Sequence, residues 1–146
     1  MREIKFRGKE INTCEWVYGF YTQGSWIDPN TGKETVRHII HADFLHDVVP
    51  ETIGQYTGMH DKNGKEIYEG DLLRFPPKEQ WDEKNYIAFE VFWHDNDCAD
   101  RHIGWQMNRL HFEGSVCGAD IGIITFLPKW VEKMYVIGNV FDKNNH

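Results

Sequence analysis

The dipeptide Asn63-Gly64 constrains the fold of this chain more than any other feature of its sequence. It lies between two short strand-forming runs, residues 57–59 and 66–68. An Asn-Gly pair in this setting predicts a β-hairpin, because a type I′ turn requires positive φ at both central residues. Gly70 marks a second reversal, after which another strand begins. The centre of the chain is therefore predicted to be antiparallel β structure.

Short segments of alternating polar and apolar residues continue this pattern on both sides of the hairpin. In residues 86–93, Ile87, Phe89 and Val91 share one face, as in a half-buried strand. Further strands are predicted at residues 2–7, 15–22, 35–40, 72–75, 103–107, 110–112, 121–126 and 134–141. Many short strands with frequent turn signals indicate a small barrel or sandwich, mainly β with little helix.

Three local departures from the strand pattern are also predicted. Residues 44–48 have apolar side chains at three- and four-residue spacing, which predicts one helical turn that Pro50 ends. Residues 128–131 predict a second single turn of helix. Gly138-Asn139 predicts a bulge in the last strand.

The charge balance of the chain bears on its partners. Its 146 residues include 16 Lys or Arg and 23 Asp or Glu, for a formal net charge of −7. Binding to nucleic acid without sequence preference needs a dense cationic surface, so this charge disfavours nucleic acid as the partner. A local basic patch is still compatible with this net charge.

The cysteines and the apolar runs bear on location. Cys14, Cys98 and Cys117 are odd in number and form no CxxC pair, which predicts free thiols in a reducing compartment. The first residues lack a signal-peptide core, and no run approaches the ~18 apolar residues of a membrane span. We expect a cytoplasmic protein with no membrane association.

The run from Thr52 to Asp71, TIGQYTGMHDKNGKEIYEGD, resembles the signature of the YopX-like family of phage- and prophage-associated proteins. Residues 2–7 resemble the family's opening strand and residues 136–140 its closing strand. The resemblance implies a bacterial host and a single unit with two lobes. These are an N-terminal β-rich lobe at 1–51 and an SH3-like small β-barrel at 52–142. It implies no activity.

The residues that carry this resemblance look like turn and packing positions. Gly58, Gly64 and Gly70 supply backbone freedom, Asp61 and Asn63 cap the hairpin, and Asp71 accepts hydrogen bonds from the backbone. The full set of motif residues with an expected structural role is Gly54, Gln55, Tyr56, Gly58, Asp61, Asn63, Gly64, Tyr68, Gly70 and Asp71.

The loop at 94–102 is the densest cluster of candidate metal ligands. Its candidate ligands are His94, Asp97 and His102, since catalytic metals are often held by His and carboxylate with one position left open. A solvated loop rich in turn-forming Asp and Asn explains the same residues. We therefore expect neither a metal nor a cofactor.

An aromatic surplus near the N-terminus supplies the candidate binding residues Trp16, Tyr18, Tyr21 and Trp26. Aromatic side chains commonly fill β cores, but this segment has them on both faces of one strand. The surplus would then contact another lobe, another subunit or a ligand.

No motif for nucleophilic, phosphate-binding or dinucleotide chemistry occurs in the sequence, so we expect no enzyme activity and no catalytic residues. The leading hypothesis is a phage-derived accessory module that binds a protein partner or forms a homo-oligomer. The alternative is a small nucleic-acid-binding barrel with a basic edge at Lys62, Lys65 and Arg74 and bases stacked on the aromatic segment.

Overall fold

A computed structural model describes residues 3–78, 85–94, 104–113, 116–126 and 128–142. These residues form eleven strands, one four-residue α-helix and one turn of 3₁₀ helix, so the prediction of a mainly β chain is confirmed. The strands are β1 (Phe6–Lys9), β2 (Trp16–Ile27), β3 (Glu34–His41), β4 (Leu45–Asp47), β5 (Gly54–His60), β6 (Glu66–Tyr68), β7 (Asp71–Arg74), β8 (Asn85–His94), β9 (Gly104–Glu113), β10 (Val116–Thr125) and β11 (Tyr135–Asn139). The α-helix is α1 (Pro128–Val131), and the 3₁₀ turn is Pro50–Thr52.

The first sheet is antiparallel and has the strand order β4-β3-β2-β1-β5-β6. Its longest hairpin joins β2 to β3, with Phe20 opposite His41 and Ile27 opposite Glu34. The connecting turn forms because the Asp28 carboxylate accepts a hydrogen bond from Asn30 N at 2.8 Å. This is the local bonding by which Asp initiates turns.

The second sheet is antiparallel and has the order β10-β9-β8-β7-β11. Its core is a cluster of buried apolar side chains from β6 to β9, α1 and the residue before β11. The members are Ile67, Leu73, Phe89, Val91, Met107, Val131 and Met134. Burying apolar surface of this extent is the main term that stabilises such a unit.

The chain divides into two compact units, residues 1–56 and 57–146. The division predicted from the sequence is after residue 51. An SH3-like closed barrel, expected for residues 52–142, is not found among the described strands. Strands β10 and β11 lie at opposite edges of the five-stranded sheet and are not paired with each other. The five described strands of the second sheet therefore form an open sheet.

The central hairpin turn differs from the type I′ turn that Asn63-Gly64 predicts. Gly64 has φ +83, whereas Asn63 is not among the residues with positive φ. Gly64 N donates to Asp61 O at 3.0 Å, and Asp61 N donates to Lys65 O at 2.8 Å. The loop between the paired residues Asp61 and Lys65 is therefore longer than the two-residue loop of a type I′ hairpin. Only its last position, Gly64, needs glycine.

The prediction of a helical turn at residues 44–48 is wrong, because Leu45–Asp47 forms strand β4. Its backbone pairs with β3, with His46 opposite Ile40. Pairing with an existing sheet satisfies more backbone groups than one isolated helical turn does, so the tertiary context overrides the local spacing. The predicted turn at 128–131 and the bulge at Gly138 are both present.

Candidate functional site

One face of strand β2 carries large apolar side chains that are exposed. Successive residues of a strand point to opposite faces, so Tyr18, Phe20 and Trp26 lie on the same face. Phe20 is 68% exposed and Tyr18 is 44% exposed, and Trp26 is exposed as well. Trp16 at the start of the strand is half-buried on the same face, and the apolar surface beyond it is open to a partner.

The strand register continues this face as far as β4. Phe20 is opposite His41, and His41 is opposite Leu45. Neighbouring strands are about 4.8 Å apart, which places the Cα atoms of Phe20 and Leu45 about 10 Å apart. Leu45 is 64% exposed. We call Tyr18, Phe20, Trp26 and Leu45 the apolar face.

Polar pairs lie on the same side of the sheet as the apolar face. The guanidinium of Arg37 donates two hydrogen bonds to the carboxylate of Asp47, at 2.9 and 2.8 Å. These hydrogen bonds, with the charge of Arg37, hold the pKa of Asp47 below its ordinary value and raise the pKa of Arg37. Thr22 Oγ1 lies 2.8 Å from His41 Nε2. The exposed apolar residues therefore have neutralised polar groups beside them.

Two of the four aromatic residues predicted from the sequence are not members of the apolar face, one because of its side of the strand and one because its ring is covered. Tyr21 is on the opposite face of β2, where its hydroxyl lies 2.6 Å from His38 Nδ1. Its ring also lies 5.7 Å from that of Phe6. The Trp16 ring is covered by the Arg7 guanidinium, 4.3 Å from the ring centroid, and is half-buried. Tyr18 and Trp26 remain as members of the apolar face.

Phe20 and Leu45 are members of the apolar face that the sequence prediction did not include among its candidates. Phe20 could have been found from its two-residue spacing to Tyr18, which puts both on one side of a strand. Leu45 gives no such signal, because only the β3–β4 pairing brings it next to His41.

The acidic residues of the central motif bond to the chain's own backbone. The Asp61 carboxylate accepts hydrogen bonds from Asn63 N at 2.8 Å, Lys65 N at 2.9 Å and Val136 N at 2.9 Å. The Asp71 carboxylate accepts one from Tyr68 N at 2.8 Å. The Asp61 carboxylate thus joins the hairpin turn to strand β11, and the Asp71 carboxylate holds the reversal between β6 and β7.

The other motif residues divide by burial. Gly54, Tyr56, Asp61, Tyr68, Gly70 and Asp71 are buried, Gln55 is half-buried, and Gly58, Asn63 and Gly64 are exposed. Gly70 allows an approach that a side chain would block, since a Cβ there would lie 2.6 Å from Cε2 of Phe141.

Residues 5–145 match the family model described as YopX protein. The chain belongs to the YopX family. The match spans almost the whole sequence and confirms the resemblance that the central motif suggested.

This YopX-family chain is also similar to a solved structure, titled "Crystal structure of protein EF1440 from Enterococcus faecalis". The two share 19% sequence identity with a TM-score of 0.48, over 96% of this chain and 94% of the other. No curated protein matches the chain at a significant level.

The metal ligands predicted for this YopX-family chain fall largely beyond what the structure describes. His94 is the last residue of β8, and Asp97 and His102 lie outside the described residues. Among the described residues, no group of three or more His, Cys, Asp or Glu side chains is placed to hold a metal ion. Within the same residues, no helix has the length and hydropathy needed to cross a bilayer.

The basic edge considered for the alternative function is divided in the YopX fold. Lys62 and Lys65 are exposed on the hairpin turn. Arg74 is buried, with its guanidinium 4.3 Å from the centroid of the Tyr86 ring and its Nε donating to Phe75 O. A ligand at this edge would therefore meet the two lysines and not the arginine.

Proposed function

We propose that this YopX-family chain is a non-enzymatic interaction module that self-associates through its apolar face. The observation that carries the proposal is the exposure of Phe20 on β2 and Leu45 on β4, two strands of one sheet that both pair with β3. Apolar surface left in water disfavours the isolated chain by about 25 cal/mol for each Å². Contiguous exposed apolar surface on a folded unit is typical of an interaction site.

A second copy of the chain is the occupant that the charges favour. Two identical surfaces meet in a two-fold interface, so each surface must tolerate its own charges. Arg37 and Asp47 neutralise each other beside the apolar face, so this pair adds no net charge that would repel a second copy. An apolar centre with polar groups at its edge is also the usual composition of a protein interface.

The setting of this function is part of the same proposal. The resemblance of the sequence to phage- and prophage-associated proteins supports an accessory role for a mobile element in a bacterial host. The three cysteines, odd in number and without a CxxC pair, support a reducing compartment such as the cytoplasm of that host. The absence of catalytic motifs in the sequence supports a binding role over an enzymatic one.

Light scattering coupled to size-exclusion chromatography tests the proposal. We expect the wild-type chain to elute as a dimer whose fraction rises with concentration. Phe20→Asp should shift it to monomer, because a carboxylate in the apolar centre would be buried without a partner.

Ile27→Asp is the matched control for this substitution. Ile27 lies on the same strand and is 63% exposed, but it is on the opposite face of the sheet from Phe20. The control should keep the dimer, and far-ultraviolet circular dichroism should show both variants folded. A wild-type chain that stays monomeric at every concentration would contradict self-association, as would equal loss of the dimer in both variants.

A further inference from the structure

The second unit contains an open cleft that the proposed self-association does not use. Its volume is about 910 Å³. It lies between the central hairpin turn, the chain that follows β7 and the chain that follows α1. The residues that line it are Lys62, Asn63, Phe75, Pro76, Pro77, Lys78, Glu132 and Lys133.

Main-chain bonds hold the backbones of two lysines of the cleft close to each other. Lys62 N donates to Met134 O at 2.8 Å, so Lys62 lies beside the residue that follows Lys133. The Asp61 carboxylate reinforces the same junction through its bond to Val136 N. The positions of the two lysine backbones are therefore set by the fold, although their side chains are exposed.

The lining combines positive charge with an apolar surface. Lys62, Lys78 and Lys133 contribute three cations and Glu132 one anion, on a chain whose formal net charge is −7. The apolar part is Phe75, which is 38% exposed, with Pro76 and Pro77 after it. Proline has no N–H to donate. The two prolines can therefore contact the side chains of a ligand but cannot donate main-chain hydrogen bonds to an added strand.

We propose that this cleft binds an extended, acidic segment of a protein partner. Carboxylates of the segment pair with Lys62 and Lys133, and an apolar side chain between them packs on Phe75 and the two prolines. The lysines of the cleft favour an anionic ligand by charge complementarity. On an acidic chain their attraction for anions acts only at short range, so the ligand has to lie in the cleft itself. The apolar lining and the Glu132 carboxylate favour a peptide with interspersed apolar residues over the uniform phosphate charge of a nucleic acid.

Fluorescence anisotropy with a labelled peptide of alternating Glu and Leu residues tests the proposal. We expect saturable binding that weakens as salt is raised, and no binding of a peptide with Lys in place of Glu. Lys62→Glu and Lys133→Glu should each weaken binding roughly three- to ten-fold at low salt, the range expected for reversing one exposed ion pair. Phe75→Ala should weaken it as well, with its urea midpoint measured to show that the variant is folded.

Lys33→Glu is the charge-matched control, since Lys33 is exposed in a turn of the other unit. It should bind the acidic peptide as the wild type does. Equal weakening by Lys33→Glu would contradict a local site and indicate a response to net charge alone. Absence of saturable binding would overturn the proposal, and so would tighter binding of labelled single-stranded DNA that Lys62→Glu abolishes. None of these readouts depends on dimer formation, so failure here leaves the apolar face to its own test.

Discussion

The carboxylate of Asp61 accepts a hydrogen bond from Val136 N at 2.9 Å, and the two residues are 75 positions apart in sequence. The same carboxylate accepts from Asn63 N and Lys65 N within the hairpin turn. One buried side chain thus ties the turn of a local hairpin to the last strand of the other sheet. Asp61 therefore has a structural role within the family motif.

Replacing Asp61 by Ala is expected to destabilise the second unit by about 2–4 kcal/mol. The substitution leaves three main-chain N–H groups without their charged acceptor, and bonds to charged groups are worth more than neutral ones. Urea denaturation followed by circular dichroism measures the change in the free energy of unfolding. Asp28→Ala, which removes a single exposed turn bond, is the control and should cost about 1 kcal/mol or less. Equal losses in the two variants would remove the special role of Asp61.

Replacing Gly19 by Ala is expected to destabilise the first unit by at least about 2 kcal/mol. A Cβ at Gly19 would lie 1.9 Å from the main-chain oxygen of His41, and a backbone atom cannot move aside as a side-chain tip can. Gly24→Ala in the same strand is the control, because nothing lies within 4 Å of a Cβ there. Its effect should stay within about 0.5 kcal/mol. Thermal or urea unfolding of both variants decides the matter, and a neutral Gly19→Ala would show that the β2–His41 contact is loose.

The sequence predicts strands best where one period covers a whole element. Residues 86–93 alternate cleanly, and the observed strand is Asn85–His94. Residues 103–107 and 110–112 are predicted as two strands but form one, Gly104–Glu113. The polar residues between them pair continuously with β8, and this pairing is a tertiary effect that local alternation does not contain.

The candidate site could be predicted only in part for the same reason. Tyr18 and Trp26 share a face by counting along one strand. Phe20 and Leu45 come together because β3 lies between their strands, and that order follows from hairpin lengths rather than from either residue. The covering of Trp16 by Arg7 likewise depends on the pairing of β1 with β2. Sheet order is the information that the sequence pattern lacks.

Replacing Gly70 by Ala is expected to destabilise the second unit more than the same change at Gly58. Both glycines have positive φ, +91 and +87, so both variants carry backbone strain of about 1–2 kcal/mol. Only at Gly70 would the new Cβ also meet Phe141, at 2.6 Å, whereas nothing lies within 4 Å at Gly58. Comparing urea midpoints of the two variants isolates the packing contribution. Equal midpoints would mean that the Phe141 ring moves aside freely.

Lowering the pH should weaken the first unit through Asp47. Its pKa in the folded chain is depressed by the hydrogen bonds and charge of Arg37, so its stabilising contribution is present above the unfolded pKa of about 3.9 and is lost as pH falls through the folded value. The measurement compares urea midpoints of wild type and Asp47→Asn at neutral pH and at pH values below about 4. We expect the wild type to be the more stable at neutral pH and the difference to shrink on acidification, because the protonated Asp47 no longer pairs with Arg37 as an ion. Added salt should reduce the neutral-pH difference, since the pair is exposed. A difference that is constant over this pH range would show that the pair contributes no pH-dependent stability.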